Sequence, residues 1–222
     1  MSDNGSVGAV GAVGTIQPSG FTMKVPPTWV ELDIWRANHT GYLARLVDTR
    51  LAGTPDLAQH RGALLKLMKA VAAHAERSGA LYCAAMCDAD EDAGVLAASV
   101  MILRNDGPPD PADNTVEAIA GQVTSMAPSG PDEPWRQVQI VEIPAGRAVQ
   151  VKGVEPAIAG QPDSQIVTML TLVPVPGGGG VVTIVLMSPQ VALADPMLDL
   201  FEAISSTFGW SDVPATGGLS PQ

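Results

Sequence analysis

The chain has 222 residues, of which 46% are hydrophobic, and it carries a formal net charge of −11. That length and apolar content can bury a full core in one domain, and no run approaches the roughly 18–20 apolar residues of a membrane span, so insertion into a bilayer is not expected. The acidic balance argues against nucleic acid or an anionic membrane surface as a direct partner, because phosphate binding needs clustered Lys and Arg.

Residues 1–20 read as a disordered leader. They hold one charged side chain, Asp3, and a low-complexity Val/Gly/Ala run over 7–14. They lack the basic region and long apolar core of a secretory signal. The expected folded unit is a single domain over 21–210, followed by a C-terminal tail over 211–222. Phe21, Met23 and Val25 share one parity, as do Val30, Leu32 and Ile34. Pro26 and Pro27 break the ladder between them, which predicts two short strands joined by a proline turn. Residues 40–52 place Leu43, Leu46, Val47 and Leu51 at helical spacing, closed by Gly53. Thr54 as N-cap and Pro55 at the first helical position open a second helix that runs to about Ser78. Its inner stripe is Leu57, Leu64, Met68, Val71 and Ala75, and Gly79 is placed to terminate it.

Residues 80–87 and 95–103 read as strands around an acidic hairpin over 88–94, and 105–112 is a Pro/Asp/Gly loop. A helix over 115–126 turns Val116, Ile119, Ala120 and Val123 inward and ends before Pro128. Four strands follow at 135–143, 147–152, 165–173 and 181–187, punctuated by Pro144, Ala145 and Gly146 and by the Pro/Gly run 174–180. Short links make them an antiparallel meander. The last two are apolar on both parities, so both of their faces must be covered. Asp195 as cap and Pro196 at the first position begin a final helix to Phe208, with Met197, Leu200, Phe201, Ile204 and Phe208 on one stripe. The fold class that satisfies this order is α+β, an antiparallel sheet between helices in an α/β/α sandwich.

Chemistry-bearing motifs are few. Cys83 and Cys87 in an extended strand would stand about 13 Å apart, beyond disulfide reach. They read as buried structural thiols in a reduced, cytoplasmic setting. His39, His60 and His74 show no metal-ligand spacing. The acidic hairpin with Asp88, Asp90, Glu91 and Asp92 lacks the Gly and Glu of a calcium loop, having Ala93 and Ser99 at those places. It reads as a solvated turn. The glycines at 177–180 lack the Lys-Ser/Thr and helix of a phosphate loop. Neither a cofactor nor a metal is expected. Trp29, Trp35, Trp135 and Trp210 lie at element ends; they read as lids on the core, and an exposed Trp35 or Trp135 would instead mark an interface anchor.

The pattern Phe21-x-x-x-Val25-Pro26-x-x-Trp29, with the closing meander and a helix ending near Trp210, resembles PsbP-like and Ran-binding Mog-like proteins. The span 21–210 also resembles actinobacterial proteins of this type, some encoded near secretion loci, which share turns like Pro144-Ala145-Gly146 and Pro174 to Gly177. The resemblance implies a sheet between helices and non-catalytic binding roles, and it carries over no functional residue. Charge adds direction. Residues 88–133 hold ten acids and one base, Arg104, a balance of −9. The first expectation is therefore a cytoplasmic, non-catalytic protein-interaction module, an adaptor or accessory protein whose partner has a basic surface. Its candidate surface is Asp88, Asp90, Glu91, Asp92, Trp35 and Trp135. The alternative is a small-ligand binder with a pocket between the sheet and the helical pair. An enzyme using carboxylates such as Asp48, Asp88 or Glu142 ranks last.

Overall fold

The computed structural model describes residues 18–36, 41–53, 55–90, 94–125, 136–157 and 165–212. In chain order they form β1 (Gly20–Thr22), β2 (Val30–Glu31), α1 (Tyr42–Gly53), a 3-10 turn (Pro55–His60) and α2 (Arg61–Arg77). The hairpin strands β3 (Tyr82–Asp90) and β4 (Gly94–Asn105) come next, then a 3-10 turn (Pro111–Asp113) and α3 (Val116–Ser125). The second half holds β5 (Arg136–Ile143), β6 (Gly146–Pro156), β7 (Gln165–Pro174), β8 (Val181–Ser188), α4 (Ala194–Ser205) and β9 (Gly209–Ser211). The leader up to residue 17, the tail from 213 and the histidine at 39 lie outside the described residues.

Seven strands make one antiparallel sheet in the order β2-β3-β4-β8-β7-β6-β5. The meander is as the sequence predicts: β5 to β8 pair in succession. The sheet is completed where β8 pairs with β4, from Ser99 opposite Met187 to Asn105 opposite Val181. This places β7 and β8 in the interior of the sheet, which is why both of their parities are apolar. α4 covers one face. Met197, Leu198, Phe201 and Ile204 pack onto residues such as Val100, Met169, Ile184 and Leu186. The opposite face carries two separate coverings. Leu43 and Val47 of α1, with Leu64, Met68, Ala72 and Ala75 of α2, cover Cys83, Ala85, Ala97 and Met101. Val116 and Ile119 of α3 cover Val149 and Val151. Helices on both faces of an antiparallel sheet make the α+β sandwich.

Local details depart from expectation in several places: β6 runs on to Pro156, and α4 ends at Ser205, short of Phe208. The two short N-terminal strands exist, yet they belong to different sheets: β2 pairs with β3, while β1 pairs with β9 in a separate two-stranded arm. Residues 209–211, which straddle the expected boundary between the domain and its tail from 211, supply that partner. Asp195 is not the cap of α4. A 3-10 turn over Val191–Leu193 runs straight into the helix, so the backbone is already helical at Ala194 and Asp195 falls in the first turn. There its carboxylate still faces the positive end of the helix dipole. The second helix begins as a 3-10 turn and becomes α-helical only at Arg61; Thr54 lies outside the described residues. Its end is as predicted. Gly79 takes φ +64, and the Ala80 N–H donates to Ala75 O at 2.9 Å, the six-to-one bond of a Schellman end.

Beyond Ser99 the β4 edge loses its strand partner, and a side chain takes over. Ala97 N donates to Gln190 Oε1 at 3.1 Å, and Gln190 Nε2 donates to Val95 O at 2.8 Å. The buried Ser188 hydroxyl lies 2.8 Å from Ala97 O. One amide thus serves as an extra rung of the ladder.

Glycine geometry gives a stability test. Gly180 has φ +103, and a Cβ there would be driven into the Asn105 carbonyl oxygen. Gly121 sits in α3 with open space around it. Gly180→Ala should lower stability by more than about 1 kcal/mol, while Gly121→Ala should raise it by roughly 0.5–1 kcal/mol, measured by denaturant unfolding.

Candidate functional site

A recess lies beneath the β1–β9 arm, at one end of the face that α4 covers. The arm is short, so its position depends on rings and side chains as much as on its ladder. Phe21 faces Trp210 in the register. Phe21 and Phe208 stack with centroids 5.6 Å apart, and Phe208 meets Trp210 edge-on at 5.3 Å. Trp210 Nε1 donates to Ala145 O at 3.0 Å, in the β5–β6 turn, and Lys24 N donates to Thr207 Oγ1 at 2.9 Å. Ser19 Oγ donates to Asp212 O across the arm.

Under this roof is a cleft of about 630 Å³. Its floor comes from three strands: Tyr82 of β3, Arg104 of β4 and Val182 of β8, the last two being cross-strand partners. Phe21, Met23, Leu81, Val175 and Trp210 complete an apolar lining, and Glu31 of β2 adds an acid at the rim. The polar groups are held. Tyr82 OH donates to Glu31 Oε1 at 3.1 Å. Burial pushes the Tyr82 phenol well above its ordinary range, and the adjacent Glu31 charge and hydrogen bond push it further the same way. Arg104 Nη2 donates to Gly179 O at 2.9 Å, so the guanidinium is steadied by the 176–180 turn. It makes no ion pair among the described residues. The volume falls within the ~300–1,000 Å³ of small-molecule sites, with an apolar wall and few oriented polar groups. A second, smaller recess of about 350 Å³ lies where α1 meets β2, lined by Val30, Leu46, Thr49, Arg50 and Gly53. The larger of these two recesses lies away from the helical pair, while the smaller lies between α1 and the sheet, where the sequence placed a pocket. Strand periodicity could not foretell the arm that roofs the larger one.

The sequence-derived site residues scatter. Asp88 stands 3.3 Å from Arg50 Nη2, and Arg50 Nε also donates to Cys87 O at 3.2 Å. Asp90 ends β3, while Glu91, Asp92 and Trp135 lie outside the described residues. Trp35 is 79% exposed, whereas Trp29 is buried as a lid. Of the acid–base candidates, Asp48 is gripped by Arg61 through two bonds of 2.6 and 2.9 Å, which hold its carboxyl below the usual range. Glu142 is exposed on β5, 3.7 Å from Arg147 Nε. β3 and β5 are five strand spacings apart, about 24 Å, so Asp88 and Glu142 cannot act on one bond. No group of three or more His, Cys, Asp or Glu among the described residues could hold a metal ion. No helix there is long and apolar enough to cross a membrane.

No protein-family model matches the sequence, and no curated protein matches it. Among solved structures, the fold is similar to the crystal structure of LpqN, described as involved in cell envelope biogenesis of Mycobacterium tuberculosis. The match covers 90% of this chain and 87% of that one, at 12% identity and a TM-score of 0.42. It carries no argument about function.

The two thiols are free and buried under α1 and α2. Burial pushes Cys83 up to about 12 and Cys87 up to about 11. A thiol whose folded pKa lies above its unfolded value stabilises fully below the unfolded pKa, and that contribution is lost as pH climbs through the folded one. Thermal stability should therefore decline between about pH 9 and pH 12, less steeply in a Cys83→Ala, Cys87→Ala double variant. Neither thiol should react with a disulfide reagent at pH 8 until the chain is unfolded.

Proposed function

We propose that the protein is a non-catalytic binding module that takes up a small, largely apolar ligand with an anionic end in the cleft beneath the β1–β9 arm. The observation that carries this is the cleft itself: about 630 Å³, walled by Phe21, Met23, Leu81 and Trp210, with the Arg104 guanidinium at the rim. Apolar walls supply affinity through burial, and a few fixed polar groups supply orientation. Arg104 offers donors to a carboxylate or similar head group. Glu31 accepts from Tyr82 and keeps its own charge, and Arg104 is the one cationic side chain among the described residues that line the cleft.

The test is a titration of the full chain with dodecanoate, followed through Trp210. Saturable binding is expected, weakened about tenfold by Arg104→Ala, and weakened again when Leu81→Trp narrows the mouth, with melting curves showing both variants folded. A linear, unsaturable response in the wild-type chain sinks the reading.

A second reading, an adaptor or accessory role toward a protein with a basic surface, is favoured by Trp35. A tryptophan 79% exposed has the form of an interface anchor. If that reading holds, a partner recovered at low salt by the wild-type chain is lost with Trp35→Ser.

A further inference from the structure

The two edges of the seven-stranded sheet differ. At one edge β2 is two residues long, a length that gives another strand little to pair with. At the other, β5 runs for eight residues, Arg136–Ile143, and no described strand lies beyond it. Proline is absent from β5 and its centre is uncharged; Ile140 is 42% exposed.

The hydrogen-bonding parity of this edge follows from its turn. Ile143 opposite Gly146 closes a two-residue link, Pro144 and Ala145. A pair that closes so short a link exchanges both of its hydrogen bonds, and the pattern alternates from there. The odd residues of β5 thus turn their N–H and C=O to β6. Arg136, Val138, Ile140 and Glu142 turn theirs outward, to the open edge. An antiparallel partner must meet outward residues with outward residues.

The sequence of β5 satisfies that requirement against itself. With a two-fold axis at Gln139, Val138 lies opposite the second copy's Ile140, and Arg136 lies opposite its Glu142. Both are hydrogen-bonded pairs on the same sheet face. Of the opposed pairs, Val138 with Ile140 is apolar, Gln139 with itself is polar, Arg136 with Glu142 is oppositely charged and Gln137 with Val141 is mixed; none sets like charges together. The end charges are ready for it. Among the described residues Arg136 Nε is buried yet makes no hydrogen bond, and its ion pair there is a long one, 3.9 Å to Glu155. The Glu142 side chain is 75% exposed, and its intramolecular contact with Arg147 is also long, because Arg147 lies 2.6 Å from Glu117.

We propose that β5 is a self-pairing edge: two copies of this chain join antiparallel through residues 136–142 about a two-fold axis at Gln139, making their sheets continuous. Such a contact is isologous, as closed dimers require, and covers the long edge that no described strand covers. It lies on β5, whereas the cleft lies under the β1–β9 arm, so it stands or falls independently of the ligand reading.

Engineered cross-linking in the full chain tests both the dimer and its register. Thiols introduced by Gln139→Cys would face each other across the axis in a non-hydrogen-bonded pair, with Cα atoms about 4.5 Å apart, within disulfide reach. Thiols introduced by Gln137→Cys would be four residues out of step, about 13 Å apart. The native thiols are buried and serve as the silent background. Under mild oxidation, a covalent dimer from the 139 variant and not from the 137 variant is expected. Cross-linking of neither, or of both equally, overturns the proposal. Gln139 donates to Gln150 at 2.7 Å, so a charge exchange provides a check should that variant fail to fold. In sedimentation, Glu142→Arg should weaken the dimer about tenfold, and adding Arg136→Glu in the same chain should restore it. A wild-type chain that stays monomeric to about 0.5 mM, weaker than even a transient interface, also overturns it.

Discussion

The structure depends on the pairing of β8 with β4. Without it the chain would hold two separate sheets: a hairpin edged by β2, and a four-stranded meander. Seven pairs from Ser99 with Met187 to Asn105 with Val181 join them. The joint is finished at one end by the Gln190 amide on Val95 and Ala97, and at the other by Gly180, which lies close against Asn105. Both ends are therefore specified by single residues. Because β8 is interior, its side chains must be apolar toward α4 and toward the opposite face alike. This two-sided demand shapes the composition of the second half of the chain.

Two-sided burial also decides what the polar groups can do. Thr171, Gln150 and Ser188 are buried in or beside the sheet. Gln150 accepts from Gln139 and Ser188 from Gln190 N, so these two are held within the sheet itself, whereas the Thr171 hydroxyl finds no hydrogen-bond partner among the described residues. The thiols lie in the layer under α1 and α2, where burial keeps them protonated at neutral pH. Reactive side chains are thus either sealed in the core or dispersed on the surface, each beside its own arginine: Asp48 with Arg61, Asp88 with Arg50, Glu117 with Arg147. Surface pairs of this kind add little to stability. They fix these carboxylates at separate places on the surface.

What the sequence made legible was whatever periodicity encodes. The meander strands β5, β7 and β8, the helix over 116–125 and the α2 terminator Gly79 lie within a residue or two of where pattern and turn chemistry put them, because burial on a fixed period and a positive φ are local demands, whereas β6 runs four residues past its expected end to Pro156. Partnership between distant segments was not legible. Residues 20–22 and 209–211 are nearly a chain length apart, and three residues each are too few to show alternation. Their pairing is decided by the rings of Phe21, Phe208 and Trp210, whose contact no local window contains. The cap at Asp195 was misread for a related reason: the 191–193 turn begins the helical backbone earlier, and nothing in Val191, Ala192 and Leu193 announces a 3-10 turn. The cleft escaped sequence reading because its roof is the arm, and the arm is the non-local element.

The aromatic distribution ties these points together. Only 4% of the chain is aromatic, with three Phe in all, yet two of those three, with Trp210, lie where the arm meets the sheet end. A three-residue ladder is too short to hold a segment by hydrogen bonds alone. Ring contacts supply what the ladder lacks, since each ring buries a large apolar area with a preferred geometry. The surfaces that hold the arm down therefore adjoin those that wall the cleft: Phe21 and Trp210 do both. The apolar character of that cleft follows from the means by which so short an arm can be fixed. Elsewhere in this fold, where strands are long and ladders complete, small aliphatic side chains suffice.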